Sequence, residues 1–311
     1  MTMQRLLPQE RITVTERASE IFYRWLDAVR TSLDTLSDSV ATLRSDLDGL
    51  PDIPAAGREL LTANRTYYVR QDGSDSNTGL SNTAAGAFLT IQKAVDVSAS
   101  LDLSIYSITI NVAPGTWTAP VVLKRTVGSG TVNIRGDTTT PSNVLMAMTS
   151  NTAFSTTVAI GYDIRGFKIT TTTSGHAFLA NGGSSQFTIG NIEFGACAGV
   201  HVFALGTGSR IAIATGNTIS GGGTYHVLAD ESSSISFSDN LTHTLTGTPN
   251  FSVTFAGSRR VSMIKMFNPT FVGAATGQQY LVQSNSLLDT SVAATLPGSV
   301  AGATSTGGQF V

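Results

Sequence analysis

Cysteine and long apolar runs are nearly absent from this sequence, and each absence excludes a class of protein. The single cysteine, Cys197, cannot form an internal disulfide framework or a zinc site built on several thiolates. No stretch of about 18 apolar residues occurs, so the sequence predicts no membrane-spanning helix. The N-terminus lacks the basic, apolar and small-residue pattern of a secretory signal, so we expect release by lysis if the protein leaves the cell.

Charge is also scarce, and its distribution is uneven. The formal net charge of −2 over 311 residues gives no electrostatic basis for binding nucleic acid or an acidic membrane. Residues 1–60 hold 17 charged side chains, whereas residues 103–311 hold 16 and are rich in Gly, Ser, Thr, Val and Ile. This change in composition predicts two different architectures in one chain.

A strict heptad pattern of apolar residues marks the N-terminal region. Thr13 and Glu16 fit a capping box, and Gly49 and Pro51 predict the end of the helix. Between them, apolar residues follow at alternating steps of four and three: Phe22, Leu26, Val29, Leu33, Leu36, Val40, Leu43, Leu47 and Leu50. This period of 3.5 residues predicts an oligomeric, left-handed α-helical coiled coil. The alternative is an amphipathic helix that lies on its own domain.

The rest of the chain repeats with a period of 24–26 residues. One series of apolar positions contains Ile110, Ile134, Ile164, Ile189, Ile213, Phe237 and Met263. A second series contains His176, His201, His226 and Ser252. Short alternating strands, with Gly, Ser, Thr and Asn at the corners and no helical pattern between them, predict an all-β fold. The expected architecture is a right-handed, single-stranded parallel β-helix of about seven rungs.

The open ends of a β-helix need cover, and the sequence supplies two segments for this purpose. Residues 88–96 form a short amphipathic helical pattern before the first rung, and residues 296–311 are polar and glycine-rich. The stretch DGSDSNTG (72–79), which lies before the helical pattern, lacks the glutamate that an EF-hand requires, so we predict a turn there. The predicted organisation is an N-terminal arm and coiled coil (1–60), an N-terminal cap (61–102), the β-helix (103–286) and a C-terminal cap (287–311).

Four segments resemble, in their order, the tail spike and tail fibre proteins of bacteriophages and prophages. YYVRQDGSDSNTG and AFLTIQKAVD (67–96), followed by ITINVAPGTW and VNIRGD (108–137), look like the opening of pectin-lyase-like β-helix proteins. FYRWLDAVRTSLDTL (22–36) resembles virion-attachment helices, and LPGSVAGATSTGGQFV (296–311) looks like a closing segment of phage tail proteins. Members of this group are typically trimers with the N-terminus on the virion.

This resemblance implies a homotrimeric virion structural protein, a tail spike or tail fibre that binds a host-surface polysaccharide during adsorption. Residues 1–60 would join the three chains and attach to a tail or baseplate protein. The protein would be made in the host cytoplasm and carried on the virion, with no cofactor or metal and with no nucleic acid or membrane partner. Two alternatives stay open: a connector or head fibre that holds other receptor-binding proteins, and a polysaccharide depolymerase with an acid pair between subunits.

The histidines at 25-residue spacing raise the question of a metal site or a catalytic row. Each is followed by an apolar residue that is expected to point inward, so the histidines are predicted to point outward or to lie at a corner. Side chains one rung apart are about 4.8 Å apart, and neighbours could share a metal, but no carboxylate joins them in a column. We interpret the series as architectural and keep His201 and His226 as candidate ligand-binding residues.

Acidic residues give little support for catalysis. Glycoside hydrolysis needs two carboxyl groups about 5–9.5 Å apart, yet Asp163 is predicted to have no acid on the following rungs. Glu193 is predicted to form a salt bridge with Lys168 on the preceding rung. The adjacent Asp230 and Glu231 remain as the candidates for catalysis, and we expect a binding protein rather than an enzyme.

Aromatic side chains are the other candidates for contact with sugars, because their faces can stack on a sugar ring. Trp117 lies in the segment PGTWTAP, and Tyr225 follows three glycines and a threonine. Glycine, proline and threonine at these places predict exposed loops. We therefore take Trp117 and Tyr225 as candidate ligand-binding residues.

Overall fold

The computed structural model describes residues 14–48, 57–158, 160–291 and 295–311, with the side chains of the first helix described from 19 to 42. The chain divides into two units after Gly57. The first unit contains one helix, and the second contains all the described strands. This division agrees with the two architectures that the composition predicts.

Helix α1 spans Val14–Asp48, or 35 residues. The predicted capping residue Thr13 and the last heptad residue Leu50 lie outside the described residues, as do the side chains of Leu43 and Leu47. The remaining heptad side chains are each 38–61% exposed in the single chain: Phe22, Leu26, Val29, Leu33, Leu36 and Val40. No helix in the described part of the chain is both long and apolar enough to span a membrane.

The second unit is a parallel β-solenoid of the right-handed type with about eight turns. Its strands, numbered in chain order, form three sheets in the described residues. The first sheet has ten strands: β1 (Arg65–Val69), β2 (Ile108–Val112), β5 (Val132–Arg135), β8 (Tyr162–Arg165), β11 (Gln186–Gly190), β14 (Arg210–Ile213), β17 (Ser234–Phe237), β20 (Met263–Met266), β23 (Leu287–Asp289) and β25 (Gln309–Phe310). The second sheet has eight strands: β4 (Val121–Val122), β7 (Phe154–Thr156), β10 (Phe178–Asn181), β13 (Val202–Leu205), β16 (Gly223–Asp230), β19 (Asn250–Ser258), β22 (Thr276–Val282) and β24 (Ala303–Thr304). The third sheet has seven strands: β3 (Gly115–Trp117), β6 (Val144–Met148), β9 (Lys168–Thr171), β12 (Glu193–Phe194), β15 (Thr218–Ile219), β18 (Thr242–Leu245) and β21 (Thr270–Val272). A 3₁₀ helix covers Pro141–Asn143.

The solenoid core is built from the inward-facing positions of each strand. Side chains alternate along β2, where Ile108, Ile110 and Val112 are buried and the residues between them are partly exposed. The predicted inner column is confirmed from Ile110 to Phe237 by strand pairing. Its last predicted member is wrong: Met266, not Met263, pairs with Phe237. The chain between these two strands is longer than one repeat, because extra residues lie on both sides of β18 and at the register shift between β16 and β19.

Strand pairing extends beyond both predicted limits of the β-helix. Strand β1 pairs with β2, well before residue 103, and β24 and β25 pair with β22 and β23, well after residue 286. The glycine-rich C-terminal segment therefore adds strands where we predicted only an irregular cap. Phe310 in β25 stacks on Tyr280 with ring centroids 4.0 Å apart, which extends the core to the end of the chain.

Helix α2 (Ile91–Ala99) covers the N-terminal end of the solenoid, as the amphipathic pattern predicts. Ile91, Ala94 and Val95 are buried against the core, whereas Leu89 before the helix is 41% exposed. Thr90 is the N-cap residue, and its hydroxyl accepts a hydrogen bond from the Lys93 backbone N–H. The helix is thus fixed by an apolar face and by one capped end.

Asp75, in the predicted turn, anchors the start of this helix. Its carboxylate accepts hydrogen bonds from the backbone N–H groups of Leu89 (3.0 Å) and Thr90 (2.9 Å) and from the Thr90 hydroxyl (2.8 Å). These contacts give Asp75 a structural role and link the turn to the cap.

We expect Asp75→Ala to lower the free energy of unfolding by about 1–2 kcal/mol, because two backbone donors and a hydroxyl lose their acceptor. Urea unfolding followed by circular dichroism measures this change. Asp239→Ala is the matched control, since Asp239 is exposed and has no ion pair or hydrogen bond among the described residues. Equal effects of the two substitutions would show that Asp75 does not anchor the cap.

Candidate functional site

The histidine series does not form a single column. Strand pairing aligns Phe178 with Val202, a step of 24 residues, whereas His176 and His201 are 25 residues apart. His176 is therefore one residue out of register. Val202 pairs with Val227, so His201, directly before β13, lies opposite His226 in β16. Neither of these two has any exposed surface. The prediction that they point outward is wrong, and neither can contact a surface ligand in this conformation.

The paired histidines are part of the aromatic core. The Nδ1 atoms of His201 and His226 lie 3.1 Å apart, and His201 Nε2 lies 3.1 Å from the carbonyl oxygen of Gly195. The His226 ring stacks on Phe255 with centroids 4.8 Å apart. Burial lowers the pKa of His201 to about 4 and holds the pKa of His226 well below its usual value. Both rings are therefore neutral at pH 7.

The carboxylate of Asp230 is also engaged within the fold. Asp230 has no exposed surface, and it accepts hydrogen bonds from Arg259 Nη2 (2.6 Å) and Arg260 Nε (2.6 Å). Burial opposes its ionisation, but the hydrogen bonds from Arg260 and Arg259 outweigh burial and lower its pKa. A carboxylate that is held ionised in this way stabilises the fold and is poorly suited to act as a general acid. Glu231, 3.4 Å from Arg260, is half exposed.

The other acids on the solenoid faces behave as their positions in the repeat predict. Glu193 lies opposite Lys168, with a salt-bridge distance of 2.7 Å. Asp163 accepts from Arg135 (3.0 Å) and Arg165 (2.9 Å). Its partner on the following rung is Thr188, so no second acid adjoins it there. Among the described residues, no group of three or more His, Cys, Asp or Glu is arranged to hold a metal ion.

We predicted an exposed loop at Tyr225, and this is wrong: Tyr225 lies in strand β16. Its side chain is 8% exposed and packs with Val200 and Leu228 in a small apolar cluster separate from the main core. The guanidinium of Arg259 lies 5.8 Å from the ring centroid. Because Val200, Tyr225 and Leu228 bury one another, the cluster offers little surface to a ligand.

A cleft of about 280 Å³ lies between the start of the cap helix and the first turns of the solenoid, and we call it the cap cleft. It contains Trp117, the second predicted aromatic residue. Trp117 ends strand β3 and is 8% exposed, so it lies in the wall of the cleft and not in an exposed loop. The cleft is lined by Gln71, Leu89, Thr90, Ile91, Gln92, Thr116, Trp117, Thr118, Ala119, Pro120 and Val121.

Side-chain hydrogen bonds hold the walls of the cap cleft in place. The Gln92 amide, on the first turn of α2, donates to the Val122 carbonyl (3.1 Å) and accepts from the Val122 N–H (2.7 Å). Gln71 donates to the carbonyl of Thr116. The Trp117 indole N–H donates to the carbonyl of Ala113 (3.3 Å), which leaves the apolar ring as the part that borders the cleft. The site is therefore formed by fixed side chains before any ligand binds.

Comparison of this chain with protein-family models, with characterised proteins and with solved structures finds no match.

Sequence reasoning identified one residue of the cap cleft and missed its partners. Leu89, Thr90 and Gln92 belong to the cap helix region, and Gln71 belongs to the turn after β1, so they are far from Trp117 in the sequence. The available signal was indirect: PGTWTAP follows strand β2, and the helix predicted before this strand was expected to cover the same end of the solenoid. Their convergence depends on the folding of the helix onto the first coil.

Proposed function

We propose that this protein is a trimeric virion structural protein, a tail spike or tail fibre, that binds a host-surface polysaccharide during adsorption. The observation that carries the proposal is the combination, in one chain, of a parallel β-solenoid with a 35-residue helix whose heptad side chains are exposed. A close-packed solenoid offers long, fixed faces to an extended polymer. The helix offers a means of joining several such bodies.

The exposed face of α1 supports self-association. Leu33 and Leu36 are 60% and 61% exposed, and with Trp25 and Val29 they line a shallow groove along the helix. Contiguous apolar side chains of this kind mark an interaction surface. The strict two-in-seven spacing favours helices with the same pattern, so we propose copies of this chain as the partners. The number of three chains follows the resemblance to tail spike and tail fibre proteins, since Leu and Val occur at both kinds of core position and do not fix the number.

Trimerisation would serve adsorption through multivalency. Three weak polysaccharide sites on one assembly raise the effective concentration of each site for a repetitive polymer, and avidity can exceed single-site affinity by about 10²–10⁴. In this proposal, residues 1–60 attach the assembly to a tail or baseplate protein, and the solenoid faces the host cell. The protein is then made in the cytoplasm of the infected bacterium and carried on the virion.

The mass of the native assembly tests the trimer. We expect the full-length chain to sediment at about 97 kDa, three times its mass of 32.4 kDa. A truncated chain should begin at Arg58, the first residue of the second unit, since Leu61 is buried in the solenoid core. A trimeric truncation would show that the solenoids also associate directly. A monomeric full-length chain would contradict the proposal.

Charged substitutions in the heptads should separate the chains. We expect Leu33→Asp combined with Leu36→Asp to give a mass near that of the monomer, because two layers of an apolar core would each hold three carboxylates. Thr31→Asp combined with Thr35→Asp is the matched control, since it adds the same charges away from the heptad core positions. The control should remain trimeric.

Polysaccharide binding tests the function itself. Full-length protein is applied to surfaces coated with purified bacterial capsular polysaccharides and lipopolysaccharides, and dissociation is recorded. We expect the full-length protein to be retained on at least one of these surfaces. The Leu33→Asp and Leu36→Asp double variant should lose about 100-fold in apparent affinity, because avidity is lost. Failure of the trimer to bind any of them, or equal binding by the monomeric variant, would overturn the proposed function.

A further inference from the structure

We infer that the cap cleft binds an uncharged sugar unit of the polysaccharide, such as a hexose or a 6-deoxyhexose, in preference to an acidic sugar. This inference rests on the proposed polysaccharide-binding function and assigns both its site and the chemical class of its ligand. The cleft is the place among the described residues where an aromatic ring, an exposed aliphatic side chain and free hydroxyl groups meet in a preformed cavity.

The lining of the cap cleft contains no charged side chain among the described residues. Two acids that contact lining residues are already paired: Asp75 accepts from Thr90, and Asp96 accepts from Gln92 (2.7 Å) and pairs with Lys124 (2.7 Å). A sugar carboxylate or phosphate bound in the cleft would therefore lose water without meeting a cation among the lining residues. Such desolvation is unfavourable unless the charge is paired, so the cleft selects against acidic sugars.

The unpaired polar groups of the cleft match sugar hydroxyls. The side-chain oxygens of Gln71, Thr116 and Thr118 have no hydrogen-bond partner among the described residues. The amide nitrogen of Gln71 is used, since it donates to the backbone carbonyl of Thr116. All three residues are exposed at the rim of the cleft. Threonine hydroxyls donate and accept, and the Gln71 oxygen accepts, which are the roles that the hydroxyl groups of a neutral sugar require.

The apolar part of the cleft suits the C–H face of a sugar ring. Leu89 is 41% exposed at one side, and the Trp117 ring and Pro120 form another part of the wall. Since the indole N–H is used by the Ala113 carbonyl, Trp117 contributes apolar contact only. The volume of about 280 Å³ is near the lower end of ligand pockets, about 300–1,000 Å³. The cleft therefore holds one or two sugar rings and not a long oligosaccharide.

Trp117 fluorescence gives a readout specific to this site. The chain has two tryptophans, so the full-length Trp25→Phe variant reports on Trp117 alone. This variant is titrated with the neutral monosaccharides mannose, galactose and rhamnose, with glucuronic acid, and with fragments of any polysaccharide that the full-length trimer binds. We expect neutral sugars and neutral fragments to change the emission in a saturable manner, and glucuronic acid to have at least a tenfold weaker effect.

Substitution tests the same site without removing a core residue. Ala119→Trp fills the cleft from its exposed rim and should weaken polysaccharide binding at least tenfold, while Thr118→Val should weaken it about threefold. Ala301→Trp, at an exposed position near the C-terminus, is the matched control and should bind as the parent protein does. If the trimer binds a polysaccharide and Ala119→Trp does not weaken it, or if acidic sugars bind best, this inference is wrong while the proposed function stands. If the trimer binds no polysaccharide and no sugar changes Trp117 emission, both are wrong.

Discussion

The solenoid is expected to lose stability steeply as the pH falls from about 6.5 to about 4, because its interior histidines must stay neutral in the folded state. Burial lowers the pKa of His201 and His243 to about 4, and burial together with His201 and His243 lowers the pKa of His226 well below its usual value. None of the three has exposed surface. Nε2 of His226 and of His243 has no hydrogen-bond partner among the described residues.

The direction of the change in stability with pH follows from proton linkage. In the unfolded chain each histidine binds a proton near its usual pKa of 6.5. In the folded protein His201 and His243 bind one only near pH 4, and His226 only well below its usual pKa. The unfolded state therefore binds more protons in this window, and stability falls as the pH falls. Each histidine contributes about 1.4 kcal/mol per pH unit, and the three together about 4 kcal/mol per pH unit. Above pH 6.5 the effect is absent.

Urea unfolding from pH 7.5 to pH 4, followed by circular dichroism, measures this dependence. His226→Met replaces one of the three buried histidines by an apolar residue of similar size, and it should reduce the slope by about one third. Thr244→Met, at an exposed position beside His243, is the control and should leave the slope unchanged. A stability that does not vary across this pH range would disprove the interpretation of a neutral histidine core.

Asp230→Ala should destabilise the solenoid by about 3 kcal/mol, the second large effect that the structure predicts. The substitution leaves two guanidinium groups without their shared acceptor, and Nε of Arg259 is already buried without a partner among the described residues. Losing one partner of a buried pair costs about 3–5 kcal/mol. The arginines are 31% and 54% exposed, so water offsets part of this cost.

Glu231→Ala is the matched control for this prediction. Glu231 is the next residue, carries the same charge and makes one ion pair with Arg260 at 3.4 Å, but its side chain is 49% exposed. Its removal should cost less than about 1 kcal/mol. Thermal and urea midpoints of both variants at pH 7 measure the difference. A loss of stability at Glu231 equal to that at Asp230 would show that burial does not distinguish the two carboxylates.

The sequence by itself determined the periodic features of this protein. Alternation of apolar residues along strands such as β2 and the 24–26-residue repeat predicted the parallel β-helix, since inward positions must recur once per coil. The heptads predicted the long helix α1, and the amphipathic pattern before the first coil predicted the cap helix α2. These elements follow from local spacing, which depends on backbone geometry alone.

The tertiary structure decided the register between rungs and which residues from distant parts of the sequence meet. A rung of 24 residues in place of 25 placed His176 outside the column of His201 and His226, and a longer rung between β17 and β20 placed Met266 instead of Met263 in the core. Burial of Asp230 depends on arginines about 30 residues away, and the cap cleft combines Trp117 with a helix that precedes it in the chain. Rung lengths are set by how each corner packs on the one before it, and this information is not contained in local spacing.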